Sequence, residues 1–247
     1  TPGIVDVARE TGRDGFLAFG EAFVGSAPRS PSGETRVARY LGTDEKPGLN
    51  SMINFPLYFT IGRVFAEGEP TSLMAYRLRA IAEAFPRPEL LPLFIDNHDT
   101  ARFLTRTTKA GFRQALLFMM TVPGIPVVYQ GTEHAFTEQR AAMFAEGYGS
   151  GGRDHFGTNS ADFAFLQALI DLRTSDRLFT RGDLEVLAST DRGAGVFAYR
   201  RSFEGREAIV LTNTATDPIL VSGLETGLAA GTVLEPRFSL GERREIV

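Results

Sequence analysis

An α/β fold, built of parallel strand–helix units and followed by a small antiparallel β region, is what this sequence predicts. Three observations carry that expectation. Short apolar runs closed by glycine or polar residues alternate with helical stretches at βα spacing over residues 15 to about 176, enough for four units. Beyond Arg177 the texture changes to short β-type runs parted by Asp, Gly and Thr turns. The chain has 247 residues, 43% hydrophobic and 23% charged, so it can bury a real core and fits one large domain or one and a half smaller ones.

Taken in order, residues 4–10 (IVDVARE) read as a short helix, and residues 15–20 (GFLAFG) as a buried strand with Glu21 just past its end. Residues 25–48, rich in Gly, Pro, Ser and charge, read as a long loop of the kind that walls a site. A second strand is expected at 49–55, then helices at 56–67 and 73–84, the latter with Leu73, Tyr76, Leu78, Ile81 and Phe85 near a 3.6 period. Residues 90–95 form a third strand, led in by Pro88 and Pro92 and followed by the polar tetrad Asp96, Asn97, His98, Asp99. A helix at 111–122 ends at Pro123 and Gly124, a fourth strand at 125–129 stops at Gly131, and residues 162–173 form an amphipathic helix. The later β-type runs lie at 184–189, 195–200, 208–213 and 218–222, with the boundary between the two textures at 177–183. The expected division is residues 1–178 and residues 179–247.

Composition excludes several function classes. Twenty-six basic and 30 acidic residues give a net charge of -4 and no electropositive footprint for nucleic acid. Without cysteine there is no disulfide, thiolate nucleophile, Cys-ligated zinc or iron–sulfur cluster. The longest apolar stretch, residues 115–125, is broken by Thr121, Pro123 and Gly124 and falls short of the roughly 20 residues of a membrane span. The compartment stays open, with a bacterial extracellular or periplasmic setting favoured over the cytoplasm.

Carboxylate chemistry is therefore the place to look. Glu21, Asp99 and Glu133 each have a plain structural alternative: a strand-end residue, a helix cap or Asx turn, and a first-turn helix residue. His98 alone reads equally well as a structural histidine. Together, however, they lie just beyond the carboxyl ends of successive candidate parallel strands, where barrel enzymes build their active sites. Two carboxyl groups and a histidine, with no metal cluster and no Ser/His nucleophile, best suit cleavage of a glycosidic bond.

Three blocks then carry a resemblance. GFLAFGEAF (residues 15–23), LFIDNHDTARF (93–103) and PGIPVVYQGTEHAF (123–136) resemble, in order and spacing, signature blocks of the α-amylase family of glycoside hydrolases on its fifth, seventh and eighth barrel strands. FLQALIDLR (165–173) is similar to the last barrel helix, and VFAYRR with AIVLTN to the family's C-terminal β domain, so the likeness covers nearly the whole chain. The implied fold is the second half of a (β/α)8 TIM barrel followed by a small antiparallel β-sandwich domain. The implied roles are general acid/base for Glu21 and transition-state stabiliser for Asp99. His98 matches the histidine that binds hydroxyls at the cleaved sugar, and Arg102 and Phe23 match contacts to neighbouring sugars. Asn97 and Glu133 match loop-supporting positions.

The resemblance also exposes an absence. The family's nucleophilic Asp sits in a Gly-x-Arg-x-Asp block on the fourth strand, and no such block occurs here. Strands one to four, the nucleophile and the inserted calcium-binding domain are expected upstream of Thr1. The expected partners are thus an α-glucan or oligosaccharide substrate and either the missing half or a second copy. No cofactor or metal ligand is assigned to this chain, calcium belonging to the intact protein, and the chain alone is expected to be inactive. A transglycosylase or isomerase of the same superfamily, or a noncatalytic carbohydrate-binding relative, are the rival readings.

Overall fold

The computed structural model of the chain describes residues 2–43 and 45–240. Residues 241–247, assigned from sequence to the C-terminal β region, lie outside the described residues. The first helix is α1 (Pro2–Glu10), followed by strand β1 (Phe19–Gly20). Strand β2 (Ser51–Met52) leads into α3 (Phe55–Phe65) and α4 (Ser72–Ala84), after α2 (Ser32–Ala38) in the intervening loop. Strand β3 (Pro92–Leu93) precedes α5 (Lys109–Thr121), and β4 (Ile125–Pro126) precedes α6 (Ala161–Ser175) and α7 (Arg177–Arg181).

The four short strands form two parallel pairs, β1 with β2 and β3 with β4. Phe19 pairs with Ser51 and Gly20 with Met52, while Pro92 pairs with Ile125 and Leu93 with Pro126. The two pairs join where the Ser51 hydroxyl donates to the Leu90 carbonyl at 2.7 Å and the Asn54 N–H to the Pro92 carbonyl at 3.0 Å. The regular ladders are shorter than the apolar runs because Pro92 and Pro126 bring no N–H to them. Asn54 caps α3 by accepting from the Leu57 N–H, with Pro56 in the first turn. Leu57, Ile61 and Val64 of α3 pack with Phe112, Leu116 and Phe118 of α5 into one core, while Phe55 joins Tyr58 and Phe94 in a smaller one.

The 25–48 loop departs from expectation by containing α2. Seven residues, about two turns, are too few to show a period, and the neighbouring Pro28 and Pro31 disguise the helix. Tertiary contact stabilises it: buried Glu34 of α2 pairs with buried Arg77 of α4, and Arg77 also donates to the carbonyls of Ala27 and Ser30, each at 3.1 Å. The loop is thereby locked onto the helical layer.

The C-terminal region is a three-stranded antiparallel meander of β5 (Asp183–Ser189), β6 (Val196–Phe203) and β7 (Arg206–Asn213). Glu204 and Gly205, at φ 50° and 76°, make the two-residue turn between β6 and β7. Two expectations are corrected here. Residues 218–222 form no strand, and among the described residues no second sheet faces the meander. Helices cover its apolar face instead: Phe197 and Tyr199 lie against Phe118 of α5, and Tyr199 shares a hydrogen bond with Thr121. Among the described residues no helix is long and apolar enough to cross a membrane.

Candidate active site

Parallel neighbours deliver their following loops to one edge, so the residues after β1, β2, β3 and β4 share a rim. Glu21 follows Gly20 directly and is exposed, and its side chain makes no hydrogen bond or ion pair among the described residues. Glycine just before it leaves room for the Leu49 and Met52 side chains, whose ends a Cβ at Gly20 would displace. Phe23 stands over Phe55 with ring centroids 4.5 Å apart, and Phe55 meets Phe94 at 5.1 Å. An aromatic row therefore ties together the ends of β1, β2 and β3. Phe55 and Phe94 are buried, whereas Phe23 keeps 58% of its surface in solvent.

The tetrad after β3 divides into a buried anchor and an exposed display. Asp96 is buried; its carboxylate accepts from the Phe103 N–H at 2.9 Å and from the Thr132 hydroxyl at 2.8 Å. These bonds close the 97–102 loop and fasten it to the loop after β4. Asn97 accepts from the Asp99 N–H at 3.0 Å, an Asx turn that lifts His98 and Asp99 outward. His98 Nε2 lies 3.2 Å from Asp99 Oδ2, and Arg140 Nη2 donates to Asp99 Oδ1 at 3.2 Å. Arg140 Nε and Gln139 Nε2 both donate to the His98 carbonyl, at 2.8 and 3.1 Å.

Burial pushes the Asp96 carboxyl above the ordinary carboxylate value of 3.8, against the Phe103 and Thr132 hydrogen bonds and the Arg102 charge, while the Glu133 carboxylate adds to the rise. Arg102 Nη1 is 3.8 Å from Asp96, and burial lowers its guanidinium below the ordinary arginine value while Asp96 partly restores it.

Arg102 corrects an expectation. It has no exposed surface, and its donors go to the carbonyls of Gln130 at 2.6 Å and Glu138 at 3.1 Å, so it fastens the loop after β4 and has no face for a sugar. Its guanidinium lies 4.2 Å from the Tyr129 ring centroid. Glu133 sits in a short 3-10 turn, Thr132–His134, entered through Gly131 at φ 86°, where a Cβ would strike the Phe136 ring. Asp96, Thr132 and Arg140 are the site residues that sequence reasoning missed. Asp96 was signalled by its place directly behind an apolar run, which implies burial; Arg140 comes from a loop without any periodic signal. Among the described residues no group of three or more His, Asp or Glu side chains is placed to hold a metal ion.

Exposed carboxylates thus stand at the carboxyl ends of parallel strands in an α/β layer, the edge at which barrel enzymes build their active sites. Residues 29–182 match the family model for the alpha amylase catalytic domain, and the chain belongs to the α-amylase family. That match includes His98, Asp99 and Arg102 and begins after Glu21 and Phe23. Cyclomaltodextrin glucanotransferase of Bacillus sp. (strain 38-2) is 28% identical over 229 residues, covering 87% of this chain and 28% of the relative. The enzyme of the same name from Paenibacillus macerans is 30% identical over 218 residues, covering 78% of this chain and 28% of the relative. The solved gamma-cyclomaltodextrin glucanotransferase of alkalophilic Bacillus clarkii superposes with a TM-score of 0.68 at 22% identity, over 88% of this chain and 30% of that one, a likeness of fold. The chain thus spans under a third of the length of these relatives.

Proposed function

We propose that this chain supplies the acid/base half of a retaining enzyme acting on α-glucans such as starch or maltodextrin. The single observation that carries the reading is the rim itself, where Glu21, without a side-chain partner among the described residues, follows β1 and the His98–Asp99 pair follows β3 inside an α-amylase-family chain. Glu21 protonates the departing glycosidic oxygen and then activates the incoming acceptor. Asp99 opposes the positive charge of the oxocarbenium-like transition state through the ring hydroxyls, and His98 binds a hydroxyl of the same sugar. Phe23 offers its exposed ring face to a neighbouring sugar, and Arg102 and Asp96 hold the two rim loops together.

Retention needs a second carboxylate roughly 5–5.5 Å from the acid, and Asp99, held by His98 and Arg140, is set to bind rather than attack. The nucleophile is therefore supplied from outside these 247 residues, and the chain alone releases no reducing ends from maltodextrin. Joined to a half that carries the Gly-x-Arg-x-Asp block, it becomes active. In that assembly Glu21→Gln lowers maltodextrin turnover about 10²–10⁴-fold. The same variant retains far more activity on α-maltosyl fluoride, whose leaving group needs no protonation; equal losses on both substrates would remove Glu21 from the acid role.

The names of the relatives favour a second outcome for the same site, transfer to a sugar hydroxyl in place of water. Product analysis separates the two: linear short products mark hydrolysis, and cyclic or lengthened ones mark transfer.

A further inference from the structure

We propose that the cavity between α4 and β5 is a second binding site, separate from the rim, for a small organic anion whose apolar body carries an oxygen acceptor. It encloses about 730 Å³, inside the range of roughly 300–1,000 Å³ usual for small-molecule sites. Chain order sets it apart from the rim. Pro88 and Glu89, which precede β3, and Pro123, which precedes β4, line the cavity, whereas the rim residues follow those strands.

Two periodicities build its walls. Ala75, Leu78, Arg79 and Ala82 recur at helical spacing along one stripe of α4, and Leu184 and Val186 share a face of β5. Two short alanine side chains on that stripe hold helix and strand apart without filling the space between them. Leu57 of α3 and Ile81 of α4, both buried, form the inner wall. Folded interiors leave few voids larger than a water molecule, so a hollow of this size with aliphatic walls suits an apolar body.

The polar groups specify the rest of the ligand. Asn54 also lines the cavity and is only 2% exposed. Its Oδ1 accepts from the Leu57 N–H at 3.1 Å as the cap of α3, which fixes the amide so that Nδ2 is the spare arm, and Nδ2 has no acceptor among the described residues. A buried donor left unpaired carries a standing cost that a ligand oxygen removes. At the outer end, Glu89 accepts from Arg87 at 3.0 Å, and Asp183, whose carbonyl accepts from Arg201 Nε at 3.1 Å, has the Arg201 charge beside it. Arg79 and Arg181 are exposed and make no ion pair among the described residues, so the charge left over is positive and suits a carboxylate. A sugar is excluded by the same walls, which would strip its hydroxyls of water and return no partners.

The probe is 4-benzoylbenzoate, which has two apolar rings, a ketone oxygen and a carboxylate, and crosslinks to its neighbours under light. Equilibrium dialysis with the full 247-residue chain is expected to show saturable binding that maltotriose does not compete, and the crosslinks are expected in residues 75–82 and 184–186. 4-Benzylbenzoate, which lacks the ketone oxygen, binds roughly three- to tenfold more weakly. Arg79→Gln and Arg181→Gln each weaken 4-benzoylbenzoate about two- to fivefold and leave uncharged benzophenone unaffected. Ala82→Trp, at an exposed position of α4, fills the space and removes the crosslinks in 184–186, with circular dichroism verifying the fold of each variant. No saturable binding below about 1 mM, crosslinks scattered outside the two segments, equal affinity for the benzoyl and benzyl compounds, unchanged affinity in both arginine variants, or competition by maltotriose would each overturn the site. None of these outcomes bears on the rim, whose reading is decided by the fluoride assay.

Discussion

Asp96 shows how one residue of the tetrad can serve the site without facing it. Its buried carboxylate holds Phe103 and Thr132 and faces the buried Arg102 guanidinium, so three segments depend on its charge. A carboxyl raised by the fold takes up its proton more readily in the folded chain than in the unfolded one. Between the ordinary value of 3.8 and the raised one the folded state thus binds more protons, and this residue's contribution to stability falls as pH rises through that window and is level above it. Urea titrations across a pH series are expected to show that dependence in the parent chain and its loss in Asp96→Asn. Removing the other partner is harsher. Arg102→Met leaves Asp96 uncompensated and the Gln130 and Glu138 carbonyls without their donor, and is expected to cost about 3–5 kcal/mol in the same titration.

At the scale of elements, the C-terminus of α5 joins the strand–helix layer to the β meander. Its last carbonyls have no intrahelical partners, and two buried arginines take them: Arg173 of α6 donates to Met120 at 2.7 Å and to Val122 at 3.1 Å, and Arg201 of β6 donates to Thr121. Burial pulls both guanidinium groups down to about 10, so both stay charged at neutral pH. Arg201 also donates to the carbonyls of Phe179 and Gly182, at 3.2 and 2.6 Å. Arg201→Met is expected to lower stability by about 3 kcal/mol or more, read as a drop in denaturation midpoint, because several buried carbonyls lose their donor together. Helices α4 and α6 were legible in the sequence from their periodic apolar faces, and α5 from the Pro123–Gly124 pair that ends it. The arginine clamps were not, because donors from positions 173 and 201 meet one helix end only after the chain has folded. The α2 helix was hidden for the same reason, its order resting on Glu34 and Arg77, 43 residues apart.

For the whole molecule, the parallel order and the rim were readable from strand-end polar residues, and the identity of Glu21, His98 and Asp99 as rim residues came with them. What could not be read is how the rim closes, since each of the four parallel strands pairs with one other strand alone among the described residues, and nothing flanks β1 or β4 on the far side. Such edges present unpaired N–H and C=O groups, and parallel sheets are ordinarily covered and continued. We expect the chain to satisfy them by association, with a complementary four-strand half or with a second copy. Light scattering of the purified chain should then give a mass above that of one chain, falling to a single 1:1 complex when the complementary half is added. Apolar-dye binding should fall with it as the sheet edges and the strand faces beside them are covered. A well-folded lone monomer that neither binds dye nor takes up the added half would show that short strands and proline-limited ladders already protect these edges, and would remove the need for a partner.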